Sequence, residues 1–399
     1  MKLPMYLGQI KQALHSENDT KLCTYVEVYG KHLEKMLSES PEPDYEVERQ
    51  CKDRLEEPWS EAVYHTIMAG RSIFSGNYIA AYQQQEMALT TFLREFQKTT
   101  NWPLETLFTL NRDLRKLAVE ADEQLIRRGD KPTNLEDCAR TINKSFTTCI
   151  TDRSPLNISK KWGTYGIVCI LFRTYFKLKS HNLCKNILRA IKVADLPELD
   201  RFPMAHQVAM RYYTGVLASF DEDFVKAEPD LQFAFDHTPR RFHSHRRLIL
   251  HYLIPARLLR GSLPSARILE EFPELATLYG PLVTGIKTGN VQLFDEALSQ
   301  GADQLMARGT YLTVEVSRGL AVRTLFKKVY TISGGLSKLE VKQFQAALAF
   351  VGVVADLDEV ECMLANMIYK KYIRGYLSQE KRVLVLSKGN PFPSLNLIQ

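Results

Sequence analysis

The sequence predicts a mainly α protein, in which TPR-like helical hairpins stack side by side and the chain finishes in one small β-hairpin. Three observations carry that reading. Apolar residues recur at helical spacings, as Ile79, Tyr82, Leu89, Leu93 and Phe96 do at three, seven, four and three, with Met87 between them, and that spacing lines one face of a helix. Turns rich in Gly, Asn, Asp or Ser separate such segments, and three of them, near Phe220, Gly261 and Gly289, follow at intervals of about 41 and 28 residues, within the range of helical-hairpin repeats. Sustained period-two alternation of aliphatic residues is confined to "RVLVLS", residues 382–387, which is a strand signal.

Taken in order, residues 1–56 read as weakly patterned helices around an acidic, Pro-containing and mobile link, "SESPEPDYEVE" at 38–48. The first clear hairpin is 67–96, turning at Ser75-Gly76-Asn77. "NWPLETLFTLNRDLRKLAVEADEQLIRRG" reads as two helices, and a polar link follows at 129–134. Residues 159–191 form another hairpin with its turn near Ser180-His181-Asn182, and three more turn at Phe220 to Glu222, Gly261-Ser262 and Gly289-Asn290. A single hairpin cannot cover both its faces, so the units are expected to stack into a right-handed superhelix.

The main break falls at Gly301 to Thr310, dividing the chain into N-terminal helices (1–56), a repeat array (57–305) and a C-terminal domain (306–399). In the last, "YLTVEVSRGLAVRTLFKKVYTI" is a helix, or two with a bend near Gly319. "SKLEVKQFQAALAFVG" is a second helix and "DLDEVECMLANMIYKKY" a third. Asp356 and Glu359 form a capping box on the third, with Asp358 and Glu361 favoured in its first turn by the helix dipole. "IRGYLS" and "RVLVLS" then flank the turn Gln379-Glu380-Lys381. Three helices closed by a hairpin is the layout of a winged-helix domain.

Composition places the 399-residue chain, 45% apolar and 25% charged, among soluble globular proteins. The net charge of +6 is unevenly placed. Residues 308–399 hold 13 Lys+Arg against 7 Asp+Glu, whereas the first 307 hold 39 of each. The whole surplus therefore sits at the C-terminal end, which suggests an anionic partner there. Seven scattered cysteines, odd in number and without a C-x-x-C pair, point to reduced thiols in the cytosol or nucleus, mostly as small core residues. No secretory signal is expected from the polar start. The most apolar window, Tyr165 to Phe172, is eight residues long, against the roughly 20 a membrane helix needs.

The common phosphate-cradling, nucleophile-elbow and zinc-protease motifs are missing, so neither catalysis nor a cofactor is expected. His237, His243, His245 and His251 cluster within fifteen residues, but no Cys or carboxylate stands at ligand spacing beside them, and no metal is expected. Arg240, Arg241, Arg246 and Arg247 are either a site for an acidic partner or a solvated basic face; their spacing suits a loop that enters a helix at "RRLIL". In the C-terminal domain Lys327, Lys328, Lys370, Lys371, Arg374, Lys381 and Arg382 are candidates for nucleic-acid contact. Cations on a wing reach phosphates without reading bases. The third helix opens on "DLDEVE", whose carboxylates repel a duplex where a recognition helix would need amides or cations, so sequence-specific groove reading is not expected.

Helical hairpins followed by a winged helix resemble the PCI domain. "SKKWG" (159–163), "NLCKNILRAI" (182–191), "YYTG" (212–215), "LIPARLLRGSLP" (253–264), "LFKKVY" (325–330), "DEVECMLANMIY" (358–369), "IRGYLS" (373–378) and "GNPFPSL" (389–395) are similar to the branch that holds PCI-domain-containing protein 2 and the signalosome-subunit-12-like proteins. The likeness runs from about Glu57 to the C-terminus, with the PCI module at approximately 205–390. It implies a non-enzymatic, nuclear scaffold that docks a second PCI protein edge to edge through the winged helices and carries a small acidic subunit shared with the proteasome lid. It also implies RNA or DNA binding across the joined winged helices, in coupling transcription to mRNA export or, in a sister assembly, in transcription elongation and splicing. By position, Lys370, Arg374, Lys381 and Arg382 match the family's nucleic-acid face; at Lys371 the family leads one to expect glycine. A DNA-binding winged-helix regulator is the alternative from another class.

Overall fold

The computed structural model describes residues 1–39 and 42–395 and divides into two compact units, Met1–Met210 and Arg211–Gln399. The first unit is built from α1 (Leu3–His15), α2 (Asp19–Val26), α3 (Lys31–Glu39), α4 (Asp44–Arg54), α5 (Trp59–Phe74), α6 (Tyr78–Phe96), α7 (Leu104–Arg128), α8 (Asn134–Ile150), α9 (Thr164–Lys177) and α10 (His181–Val193). From α5 onward each helix packs on its successor, and the α5–α6 turn carries its own cap. At the first turn Gly76 takes φ 70° and the Asn77 side chain accepts the Ala80 amide. Other caps come from outside the helix. Asp19 accepts the Glu105 and Thr106 amides that open α7, and Asp122 accepts those of Asn134 and Leu135 that open α8. Each such cap contributes about 1 kcal/mol.

Residues 104–128, expected as two helices, are the single helix α7. Neither Gly nor Pro interrupts them, and Leu107, Leu110, Leu114, Leu117 and Ala121 keep one continuous buried face. The N-terminal helices are better packed than their patterning suggests. Leu3, Tyr6, Leu7 and Ile10 are fully buried, α2 lies on α7, and α3 and α4 lie on α5. The expected mobile link at 38–48 contracts as well: Asp44 to Glu48 belong to α4, and residues 40–41 lie outside the described residues.

The unit boundary falls within α11 (Met204–Phe220). Beyond it come α12 (Phe224–His237), α13 (His243–Leu259), α14 (Ala266–Glu271), α15 (Pro273–Thr288), α16 (Val291–Gln300), α17 (Ala302–Arg308), α18 (Tyr311–Val316), α19 (Arg318–Ile332), β1 (Lys338–Glu340), α20 (Val341–Phe350), α21 (Leu357–Tyr369), β2 (Gly375–Ser378) and β3 (Val383–Leu386). The α15–α16 turn takes its shape from glycine. Gly289 sits at φ 68°, and a Cβ there would lie 2.7 Å from the Leu325 amide nitrogen, so the turn can seat closely against α19.

Helices α19, α20 and α21 with the strands make the winged helix. Its core includes Leu320, Phe326, Phe344, Leu348, Val360, Leu364, Leu384 and Leu386, with Phe326 and Phe344 meeting edge to face at 4.9 Å, a geometry aromatic rings favour. The sheet has three antiparallel strands in the order β1-β3-β2, with Leu339 opposite Leu384 and Tyr376 opposite Val385. The expected hairpin is therefore β2–β3, while β1 replaces what the sequence reads as the start of a helix. Three residues with one buried leucine between two exposed charges are too short to separate strand from helix by period. The first helix of this domain breaks at Ser317, between α18 and α19, two residues before the expected bend.

Candidate docking and nucleic-acid interface

The third helix of the winged helix starts on a complete capping box. Asp356 accepts the Glu359 amide at 2.7 Å and Glu359 accepts the Asp356 amide at 3.0 Å. The β2–β3 turn ends at Arg382, which takes φ 48° and folds back onto this acidic helix start. Its guanidinium lies 3.1 Å from Asp358 and 3.7 Å from Glu361. The wing thus neutralises part of "DLDEVE", and Arg382 is the least available of the nominated cations. Lys370, Lys371, Arg374 and Lys381 are exposed and make no ion pair among the described residues. The first three fall within five residues where α21 ends and β2 begins; Lys381 stands at the far end of a four-residue strand, about 13 Å along it. Lys371 has φ 59°, the left-handed region in which glycine is at ease. On α19, Lys327 is exposed, whereas Lys328 donates to the Thr288 carbonyl at 2.6 Å and closes the end of α15.

Two further arginines of the domain are structural. Arg318 forms a two-pronged pair with Asp295 at 2.6 and 2.8 Å. Arg323 is buried, donating to the carbonyls of Tyr372 at 3.2 Å and Pro393 at 2.5 Å, and so ties the C-terminal segment to α19. Hydrogen bonds are what make such burial tolerable. The domain also shows large apolar side chains to solvent at or just after the ends of its three helices: Ile332 (86% exposed), Phe350 (90%), Val354 (96%) and Tyr369 (86%). Periodicity finds core faces, and these residues lie at helix ends, where it has no purchase.

The four arginines at 240–247 are divided by the start of α13. Arg240 and Arg241 lie exposed in the preceding loop. Arg246 donates to the Thr238 carbonyl at 3.1 Å, stacks 4.0 Å over Phe235 and lies 3.6 Å from Glu271; it closes the end of α12. Arg247 pairs with Glu274. The histidines go separate ways. His237 stacks on Phe233, His243 on Phe272 and His245 edges Phe242. His251 is half-buried, and desolvation, with Arg308 and Arg247 adding to it, pushes its pKa down to about 4, which keeps the ring neutral at pH 7. Among the described residues no three His, Cys, Asp or Glu side chains converge as a metal would need.

One element of this region was not visible in the sequence. Arg247, His251, Glu274, Gln304 and Arg308 line a cleft of about 790 Å³ between α13, α15, α16 and α17. Arg247 is spent on Glu274, but Arg308 is exposed and makes no ion pair among the described residues. With two guanidiniums against one carboxylate, the cleft favours an acidic guest. Arg308 stands some sixty positions from Arg247, so no local motif could join them.

Helical hairpins that run into a winged helix of this strand and helix order define a PCI-type protein. The PCI domain family model matches residues 301–388. The chain is 34% identical to the protein CSN12 homolog of Schizosaccharomyces pombe, 33% identical to PCI domain-containing protein 2 of Xenopus laevis and 35% identical to the PCI domain-containing protein 2 homolog of Drosophila melanogaster. Each match covers 98% of both chains. The chain belongs to this family of PCI-domain proteins.

Proposed function

We propose that the protein is a non-catalytic, nuclear scaffold subunit that couples transcription to mRNA export. Residues 57–305 serve as the helical array and 306–399 as the docking module. The winged helix docks a second PCI-domain protein, a small acidic subunit lies against Arg240, Arg241 and the Arg308 cleft, and Lys370, Lys371, Arg374 and Lys381 contribute contacts to RNA or DNA backbone. One observation carries the reading: the same small domain presents nearly fully exposed Phe350 and Val354 together with four cations that have no ion-pair partner among the described residues. Apolar side chains left in water at this level suit a protein interface, and unspent lysines suit phosphate.

The test separates the two roles. Phe350→Asp with Val354→Asp is expected to abolish co-purification of the PCI partner while leaving the melting temperature unchanged. Reversal of Lys370, Lys371, Arg374 and Lys381 to Glu is expected to keep the partner and weaken RNA binding by the assembled complex. Retention of the partner by the first variant, or unchanged RNA affinity in the second, overturns the corresponding part. The identity of the captured PCI partner decides between an export assembly and one acting in elongation and splicing.

A further inference from the structure

A second cleft, of about 600 Å³, lies in the first unit, between the last turns of α6 and α8 and the segment that follows α8. Its electrostatics are one-sided. Arg94, Lys144, Arg153 and Lys160 line it, and Asp152 is the one carboxylate among the lining residues. Asp152 is already committed: it accepts the Ser159 hydroxyl at 2.7 Å, the Lys160 amide at 2.8 Å and the Ser154 hydroxyl at 3.1 Å. Burial works against its ionisation, but these bonds hold the carboxyl below its usual range. It therefore stays charged as the anchor of the wall.

Lys160 is the unusual member. Only 6% of its side chain is exposed, yet its ammonium has no short partner. The Gln97 carbonyl is at 3.4 Å, Asp152 at 3.6 Å and the Phe96 ring centroid at 5.7 Å. Charge-assisted bonds run to about 2.7–2.9 Å, and an ammonium has three donors, so this one retains capacity toward the cleft it lines. Lys144 and Arg153 are exposed on the rim without an ion pair among the described residues, and Arg94 meets Glu61 at 3.7 Å.

We infer that this cleft binds a small polyanion bearing two or more phosphate groups. Four cations against one carboxylate around a concavity of ligand size exceed what one phosphate requires. No aromatic ring is among the lining residues, so the platform on which a base would stack is missing and recognition rests on the phosphates.

The probe is sodium tripolyphosphate, titrated calorimetrically into the full chain at physiological salt. Saturable one-to-one binding is expected, weakened by about tenfold or more in Lys144→Glu and in Arg153→Glu, the loss expected when a close charge contact is reversed, and unchanged in the Lys370, Lys371, Arg374, Lys381 reversal. Lys160→Met is expected to lose binding outright; because it alters a buried pair, the two rim variants, both exposed, carry the test. Absence of saturable heat, parental affinity in both rim variants, or equal loss in the winged-helix reversal overturns the site. ATP binding about as tightly as tripolyphosphate supports the base-independent class, and a short oligouridylate that displaces tripolyphosphate in a Lys144-dependent manner overturns it in favour of nucleic-acid backbone.

Discussion

Asp113 lies in α7, buried, with its Oδ2 accepting the Val28 amide at 2.9 Å. Loss of hydration raises its carboxyl to about 7; the Val28 amide, Arg112 and Lys116 oppose the rise and Glu27 adds to it. An unfolded aspartate titrates near 3.9, so between about pH 4 and 7 the folded chain holds a proton that the unfolded chain has released. Stability therefore falls as pH rises through that window. Asp113→Asn keeps an acceptor for Val28 and removes the charge. Urea unfolding should show the variant more stable than the parent by about 1–3 kcal/mol at pH 8, with the two converging near pH 4; curves that stay parallel across the range contradict the assignment. Charge counts in the sequence could not reveal such a residue. They register Asp113, Arg246 and Arg323 as polar positions, whereas partners distant in sequence, Val28, Phe235 and Pro393 among them, turn all three into supports of the interior.

Elements were legible where their determinants are local. The turns at Gly76-Asn77 and Gly289-Asn290 carry their own cap, and the capping box at Asp356 needs only four residues. Legibility failed for β1, whose three residues are strand because β3 pairs with them, and for the wing's Arg382, which is drawn onto α21. That last contact has a measurable consequence. On the proposed nucleic-acid role, Lys381→Ala should cost the complex one phosphate contact, lowering the salt slope of RNA binding by about 0.7–0.9. Arg382→Ala should change the slope less, because its charge already faces Asp358 and Glu361. Asp358→Asn should strengthen RNA binding by removing a repelling charge and loosening Arg382. Equal slopes for the two alanine variants would show that the pair dissolves when RNA arrives.

At the scale of the molecule, a fold of hairpins and a winged helix could be read from period and turns, while the surfaces that matter were only partly legible. The basic end pointed to the wing, but the Arg308 cleft is assembled from four helices that span residues 247 to 308, and the first-unit cleft from two helices and a loop. These surfaces share no side chain, and substitutions without common partners act independently. Arg308→Glu therefore makes a sharp test of the scaffold reading. Its guanidinium is exposed, α17 packs on α16 and α18, and reversal places a second carboxylate beside Glu274. Binding of the acidic subunit should fall by about tenfold or more, in the range measured for close charge contacts across interfaces, with the loss shrinking as salt screens the cleft. RNA binding and capture of the PCI partner should persist, and the Arg308→Glu effect should add to that of Lys381→Ala without coupling. If RNA binding collapses together with the acidic subunit, the two surfaces act as one, and the division of labour between cleft and wing falls.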